Sequence, residues 1–260
     1  ALGETLAEHG WNLYCPDHRG HGASMDAADP PGHFGDQDGW RLVMDDLGRV
    51  IDTLREREPG ALVLGGHSMG SFIALAGAEA HGDKLDGLVL CGSDYHPPLY
   101  YRLMASVLKW QRRRHGARGQ SPLVHKLTFE AWARSVPDAN TDFDWLSADP
   151  AQVKAYIDDP KCGFQCTTAT WLALLSALAG VQSSRGLARL PARLPILLLG
   201  GRQDPMSGGG KGMDRLQKVL SRRRLPVERM DCPRGRHEIL NDFCAPEVRQ
   251  TLLEWLNRRI

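Results

Sequence analysis

Leu62-Val63-Leu64-Gly65-Gly66-His67-Ser68-Met69-Gly70 decides the reading of this chain. A short apolar run ends in glycines, one serine stands between Gly66 and Gly70, and the helix-compatible Ser71-Phe72-Ile73-Ala74-Leu75-Ala76 follows directly. Physically this is a strand, a very tight turn and a helix. Such a turn lifts the Ser68 hydroxyl above the sheet edge and calls for small residues two places before and two places after it. The helix that starts there aims free backbone N–H groups, that of Met69 first, at any anion formed beside the serine. A glycine-rich surface turn is the plainer alternative, since G-x-S-x-G arises by chance in roughly one chain in ten of this length. The context therefore has to decide.

Outward from that turn the chain reads as alternating strands and helices. Upstream, a helix over Leu2 to His9 precedes a short strand at Asn12-Leu13-Tyr14-Cys15, and Asp17-His18-Arg19-Gly20-His21-Gly22-Ala23-Ser24 is a polar glycine loop. Gly39 to Arg57 carries Trp40, Val43, Leu47, Val50, Ile51 and Leu54 at helical spacing and stops at Pro59-Gly60. Downstream, a helix runs to about His81 and a strand covers Leu88 to Gly92. Strands at Pro195 to Gly200 and Val227 to Met230 flank a helix from about Gly212 to Arg223, and a helix through Val248, Leu252, Leu253, Trp255 and Leu256 closes the chain. This order predicts an α/β fold, a mostly parallel sheet with helices on both faces, with ligands bound beyond the carboxyl ends of its strands.

Between Asp94 and Ser184 no β run is evident, and Pro97-Pro98, Pro122, Pro137, Pro150 and Pro160 punctuate helical pieces. The division expected is a core over 1–93, an inserted helical cap over 94–184 and a second part of the core over 185–260. Leu99, Leu103, Val107 and Trp110, with Trp171, Leu175 and Leu178, are expected to pack the cap onto the core, some of them facing an apolar substrate. Lys109 to His115 is the one basic cluster of the cap. It reads as a solvated helix end, with transient contact to an anionic membrane surface as the second reading.

Composition removes other classes. The chain has 260 residues, a formal net charge of +1 and 42% hydrophobic residues, which gives no general drive toward nucleic acid. Cys15, Cys91, Cys162, Cys166, Cys232 and Cys244 are scattered singly except for one C-x-x-x-C, which reads as a reduced, cytoplasmic protein, peripheral to the membrane at most, with Cys162 and Cys166 taken as packing residues. No metal or cofactor site is read from the sequence: the Cys162/Cys166 and His18/His21 spacings lack further ligands, and Gly208-Gly209-Gly210-Lys211 lacks the flanking residues of a phosphate loop.

A serine hydroxyl needs a base within reach and a third group to fix that base. Among ten histidines, His237 alone follows the last strand in a short loop before the terminal helix. Asp204, just past a strand end, is the orienting acid, with Asp94 as its rival. His67 adjoins the serine and is expected to point away from it. Ser68, Asp204 and His237 thus make a catalytic set in the chain order of α/β-hydrolases.

The chain resembles the monoacylglycerol lipase and lysophospholipase branch of the α/β-hydrolases, grouped with the serine aminopeptidase S33-type hydrolases. The residues that carry the resemblance are Asp17-His18-Arg19-Gly20-His21-Gly22-x-Ser24, Gly66-His67-Ser68-Met69-Gly70, Asp204-Pro205 and Arg236-His237-Glu238-Ile239-Leu240-Asn241. Phe143 to Ser147 and Asp159-Pro160-x-Cys162-Gly163-Phe164 add to it. It implies a cofactor-free serine esterase acting on a monoacylglycerol, a lysophospholipid or a similar small ester. It also implies preceding strands, the third lying between those at Leu13 and Val63 and followed by a His-Gly loop that supplies a second oxyanion N–H. No such segment is in this sequence, so the fold expected is an α/β-hydrolase with its N-terminal strands absent, retaining Met69 as oxyanion donor. Losing one such donor costs about 3–4 kcal/mol, a rate factor of about 100–1000. The alternatives are a proline iminopeptidase-like peptidase and a catalytically impaired domain that binds lipid or a partner. No oligomeric state follows.

Overall fold

The computed structural model describes residues 2–260. Its centre is a four-stranded sheet of β1 (Val63–His67), β2 (Gly87–Cys91), β3 (Ile196–Gly201) and β4 (Val227–Cys232), in the order β1-β2-β3-β4 with every pair parallel. Strand alternation sends Leu88, Leu90, Ile196 and Leu198 to one face and Val89, Cys91, Leu197 and Leu199 to the other. Both faces are buried, which is why β2 and β3 read as unbroken apolar runs.

The helices that cover the sheet are α1 (Leu2–Ala7), α2 (Gly39–Arg57), α3 (Met69–His81), α4 (Pro98–His115), α5 (Pro122–Leu127), α6 (Phe129–Arg134), α7 (Pro150–Asp158), α8 (Thr168–Val181), α9 (Ser184–Leu187), α10 (Lys211–Arg222) and α11 (Ala245–Arg259). One face takes Leu75 of α3, Leu174 and Leu178 of α8 and Leu216 of α10. The opposite face takes Leu6 of α1 and Val248, Leu252 and Trp255 of α11. Six helices, α4 to α9, fill the span between β2 and β3, and part of that span has an apolar core of its own, Ala133, Val136, Trp145 and Leu146.

Three expectations are corrected. Asn12 to Cys15 is not a strand: Leu13 and Tyr14 are 44% and 48% exposed, and no strand of the described residues pairs with the segment. A parallel strand exists only beside a partner, and β1 pairs with β2 alone. Leu99, Leu103, Val107 and Trp110 do not pack the cap onto the core: all four are exposed. The inward face of α4 is Tyr101, Ala105, Leu108 and Gln111, whose polar ends are satisfied, Tyr101 donating to Gln182 Oε1 (2.9 Å) and Ser121 donating to Gln111 Oε1 (2.9 Å). Finally, the six cysteines are not all free, because Cys232 at the end of β4 and Cys244 at the start of α11 form a disulfide. The chain between them folds back onto the sheet and brings both into the core below α11. No helix of the described residues is long and apolar enough to cross a membrane.

Candidate active site

The turn after β1 takes the form that its glycines and serine predict. Ser68 has φ 54° and ψ −121°, a positive-φ conformation that costs a non-glycine residue about 1–3 kcal/mol. The surroundings impose it: Ser68 N–H donates to Cys91 O of β2 (3.0 Å), and its carbonyl accepts from Ser71 N–H (2.9 Å) and the Ser71 hydroxyl (2.6 Å). Gly66 is required, since a Cβ there would lie 2.1 Å from Gly70 O. Gly70 is not required in the same way: its Cβ position is open. The close approach therefore runs one way, from the strand into the helix start. Met69 opens α3, where backbone N–H groups lack acceptors within the helix.

Asp204 and His237 reach the same place by backbone pairing between the loops after β3 and β4. Arg202 N–H donates to Cys232 O and Gln203 N–H to Gly235 O, each at 2.9 Å. Gly201 makes this possible, since a Cβ there would lie 2.1 Å from Arg236 O. His237 Nδ1 consequently stands 3.1 Å from Asp204 Oδ1, the ring turned off the straight hydrogen-bond line, with both side chains almost fully buried. Burial works against charge on Asp204, yet His237, the Ser207 hydroxyl and the Met206 N–H together hold its carboxyl below the usual range. The rival Asp94 is engaged elsewhere, with Arg215 Nη2 (3.1 Å) and His96 Nε2 (2.9 Å).

The Ser68 hydroxyl is not hydrogen-bonded to His237; it is directed at Met206 Sδ, 3.8 Å away. Met206 belongs to the acid loop, and its N–H donates to Asp204 Oδ1 (2.9 Å), so one residue touches both ends of the set. His67, expected to point away from the serine, is turned onto His237: its Nε2–H donates to His237 O (3.1 Å) and the two ring centroids are 4.6 Å apart. Burial, and then the neighbouring His237, push His67 down to about 4, so it is neutral near pH 7. Trp145 also lies against His237, its ring centroid 5.1 Å away. Met206 is signalled only by its nearness to Asp204 in sequence, and Trp145 only by its place in the Phe143 to Ser147 stretch.

This geometry has relatives. The family model of serine aminopeptidase, S33, matches residues 1–243, and the chain belongs to that family. Its fold is the α/β-hydrolase fold. It is similar to a highly thermostable carboxyl esterase from Bacillus coagulans, with 26% identity and a TM-score of 0.84 over 94% of this chain and 79% of that one. A lipase in its open form (24% identity, TM-score 0.86, 99% of this chain and 84% of that one) shares the fold. So does the Paleococcus ferrophilus monoacylglycerol lipase (23%, 0.69, 100% and 88%). No curated protein sequence gives a significant match.

Proposed function

We propose that the chain is a serine hydrolase of carboxylic esters that carry a single acyl chain, of the monoacylglycerol or lysophospholipid kind. The observation that supports it most is the buried Asp204–His237 pair in the loops beside the strained Ser68 turn. In this reading Ser68 Oγ turns from Met206 to His237 and attacks the ester carbonyl carbon while its proton passes to the imidazole. Asp204 holds the ring and favours its charged form, and the Met69 N–H meets the oxyanion. The carbon–oxygen bond to the alcohol breaks, and His237 returns the proton to the leaving oxygen. Water then gives a proton to His237 and its hydroxide to the acyl carbon; the bond from that carbon to Ser68 Oγ breaks and Oγ takes the proton back from His237, which frees the acid and restores Ser68.

The similarity to a carboxyl esterase, a lipase and a monoacylglycerol lipase supports an ester as the substrate in this reading. A cleft of about 550 Å³ next to the acid loop is lined by Trp132, Val136, Pro137 and Pro205 together with Ser135, Gln203 and Arg236, and offers room for part of a substrate. Residues 94–184 act as the cap in this reading, and the exposed apolar stripe and basic end of α4 give it a face for a lipid surface. Ser68→Ala is expected to lower turnover of p-nitrophenyl butyrate by at least about 10³-fold; retained turnover would reject the serine as nucleophile.

Two observations favour other readings. The family description names an aminopeptidase, and comparing a monoacylglycerol with a prolyl amide separates the two substrates; α4 has no acidic residue to hold a substrate amino group. The contact of the Ser68 hydroxyl with Met206 favours a silent binding domain, which robust labelling of Ser68 by a fluorophosphonate would reject.

A further inference from the structure

Two stretches far apart in the chain, Asp144 to Ala148 between α6 and α7 and Arg236 to Asp242 after β4, meet as one hydrogen-bonded unit. Arg236 Nη1 donates to the carbonyl oxygens of Asp144 (2.6 Å) and Ser147 (3.0 Å). Glu238 N–H donates to Leu146 O (2.7 Å), His237 N–H to Trp145 O (3.4 Å), and the Ser147 hydroxyl to Asn241 O (3.0 Å). Asp242 Oδ2 accepts from the N–H groups of both Arg236 (3.0 Å) and Ala148 (3.2 Å). The Trp145 indole completes the unit against the imidazole.

The root of the histidine loop is held by the loop after β3, through Arg202 and Gln203. Its crown, where His237 sits, is held by the segment from the span between α6 and α7. Arg236 is the one cation in this contact, and its single nitrogen bridges two backbone acceptors three residues apart. We propose that Arg236 is a positioning residue for His237: by clasping the Asp144 and Ser147 carbonyls it seats Asp144 to Ala148 on the histidine loop, so that the cap and the general base move as one piece. This rests on the reading of His237 as the base.

The test is turnover of p-nitrophenyl butyrate per active site, the sites counted by fluorophosphonate labelling. Arg236→Met is expected to lower kcat per labelled site about 10–100-fold with KM within about twofold, because small displacements of a reacting group cost rates of that order. Arg236→Lys, which can reach one carbonyl, recovers part of the loss. A merely structural role would reduce the number of labelled sites and leave turnover per site unchanged, and that result overturns the clasp. Where Arg236→Met does not fold, Arg236→Lys decides: a fall of about threefold or more per site supports the clasp, and a rate equal to the parent's overturns it. Ser68→Ala is run alongside, since its retained turnover overturns the serine reading and not the clasp. ¹⁵N-histidine spectra, with His237 identified by His237→Gln, read the clasp without turnover: Arg236→Met shifts or broadens the His237 signals, and unmoved signals overturn it.

Discussion

A Cβ on Gly66 would stand 2.1 Å from the Gly70 carbonyl oxygen and 2.8 Å from the Ser71 nitrogen, so Gly66→Ala has to part strand from helix at the turn. At Gly70 the same Cβ meets nothing within 4 Å, and alanine is the better helix former by up to about 1 kcal/mol. Gly66→Ala is therefore expected to lose roughly 2–4 kcal/mol in denaturant melts, while Gly70→Ala holds or gains stability; equal losses would contradict the one-way approach. The motif is symmetric as letters and asymmetric as a solid. Ser68 and Asp204 stand out as candidates in the sequence because each closely follows an apolar run that ends a parallel strand, and His237 because it lies in the short loop between the last strand and the terminal helix. Met206 does not, because only the turn of its own loop decides that its sulfur, rather than the imidazole, meets the hydroxyl.

At the scale of elements, α4 shows how a helix can be found and its face mistaken. Its span follows from Pro98 and Gly116, but a hydrophobic pattern cannot weigh a tyrosine and a glutamine whose polar ends are satisfied against larger apolar residues. The buried face is Tyr101, Ala105, Leu108 and Gln111, so Leu99, Leu103, Val107 and Trp110 are left in solvent. Arg102, Lys109, Arg113 and Arg114 are exposed on the same helix, which has no acidic residue, and Arg114 lies over the Trp110 ring. An apolar stripe beside exposed cations suits the boundary of an anionic bilayer, worth about 1 kcal/mol per basic residue near the surface. Flotation with phosphatidylglycerol vesicles is expected to carry the protein. Leu103→Glu with Trp110→Glu should cut the bound fraction several-fold, and equal binding by parent and variant would exclude this face. The Asn12 to Cys15 segment fails differently: its residues suit a strand, and what it lacks is a neighbour.

Over the whole molecule, the site gathers residues from three separated stretches: the turn after β1, the paired loops after β3 and β4, and Asp144 to Ala148. The first two were legible because the order of strands in a parallel sheet dictates which ends adjoin. The third was not, since nothing in Phe143 to Ser147 by itself says that it lies on a histidine 92 residues further along. The disulfide was illegible for the same reason, its two cysteines standing among six and closing only once the histidine loop folds back.

That disulfide makes residues 232–244 a covalent ring, with His237 inside it and the exposed Arg234 on its rim. A peptide bond cut within the ring divides the chain without releasing either part. Limited trypsin cleavage after Arg234 should accordingly leave the mass on a non-reducing gel unchanged, and a reductant should then release a C-terminal piece that begins at Gly235. Release without reductant would show that the ring is not closed.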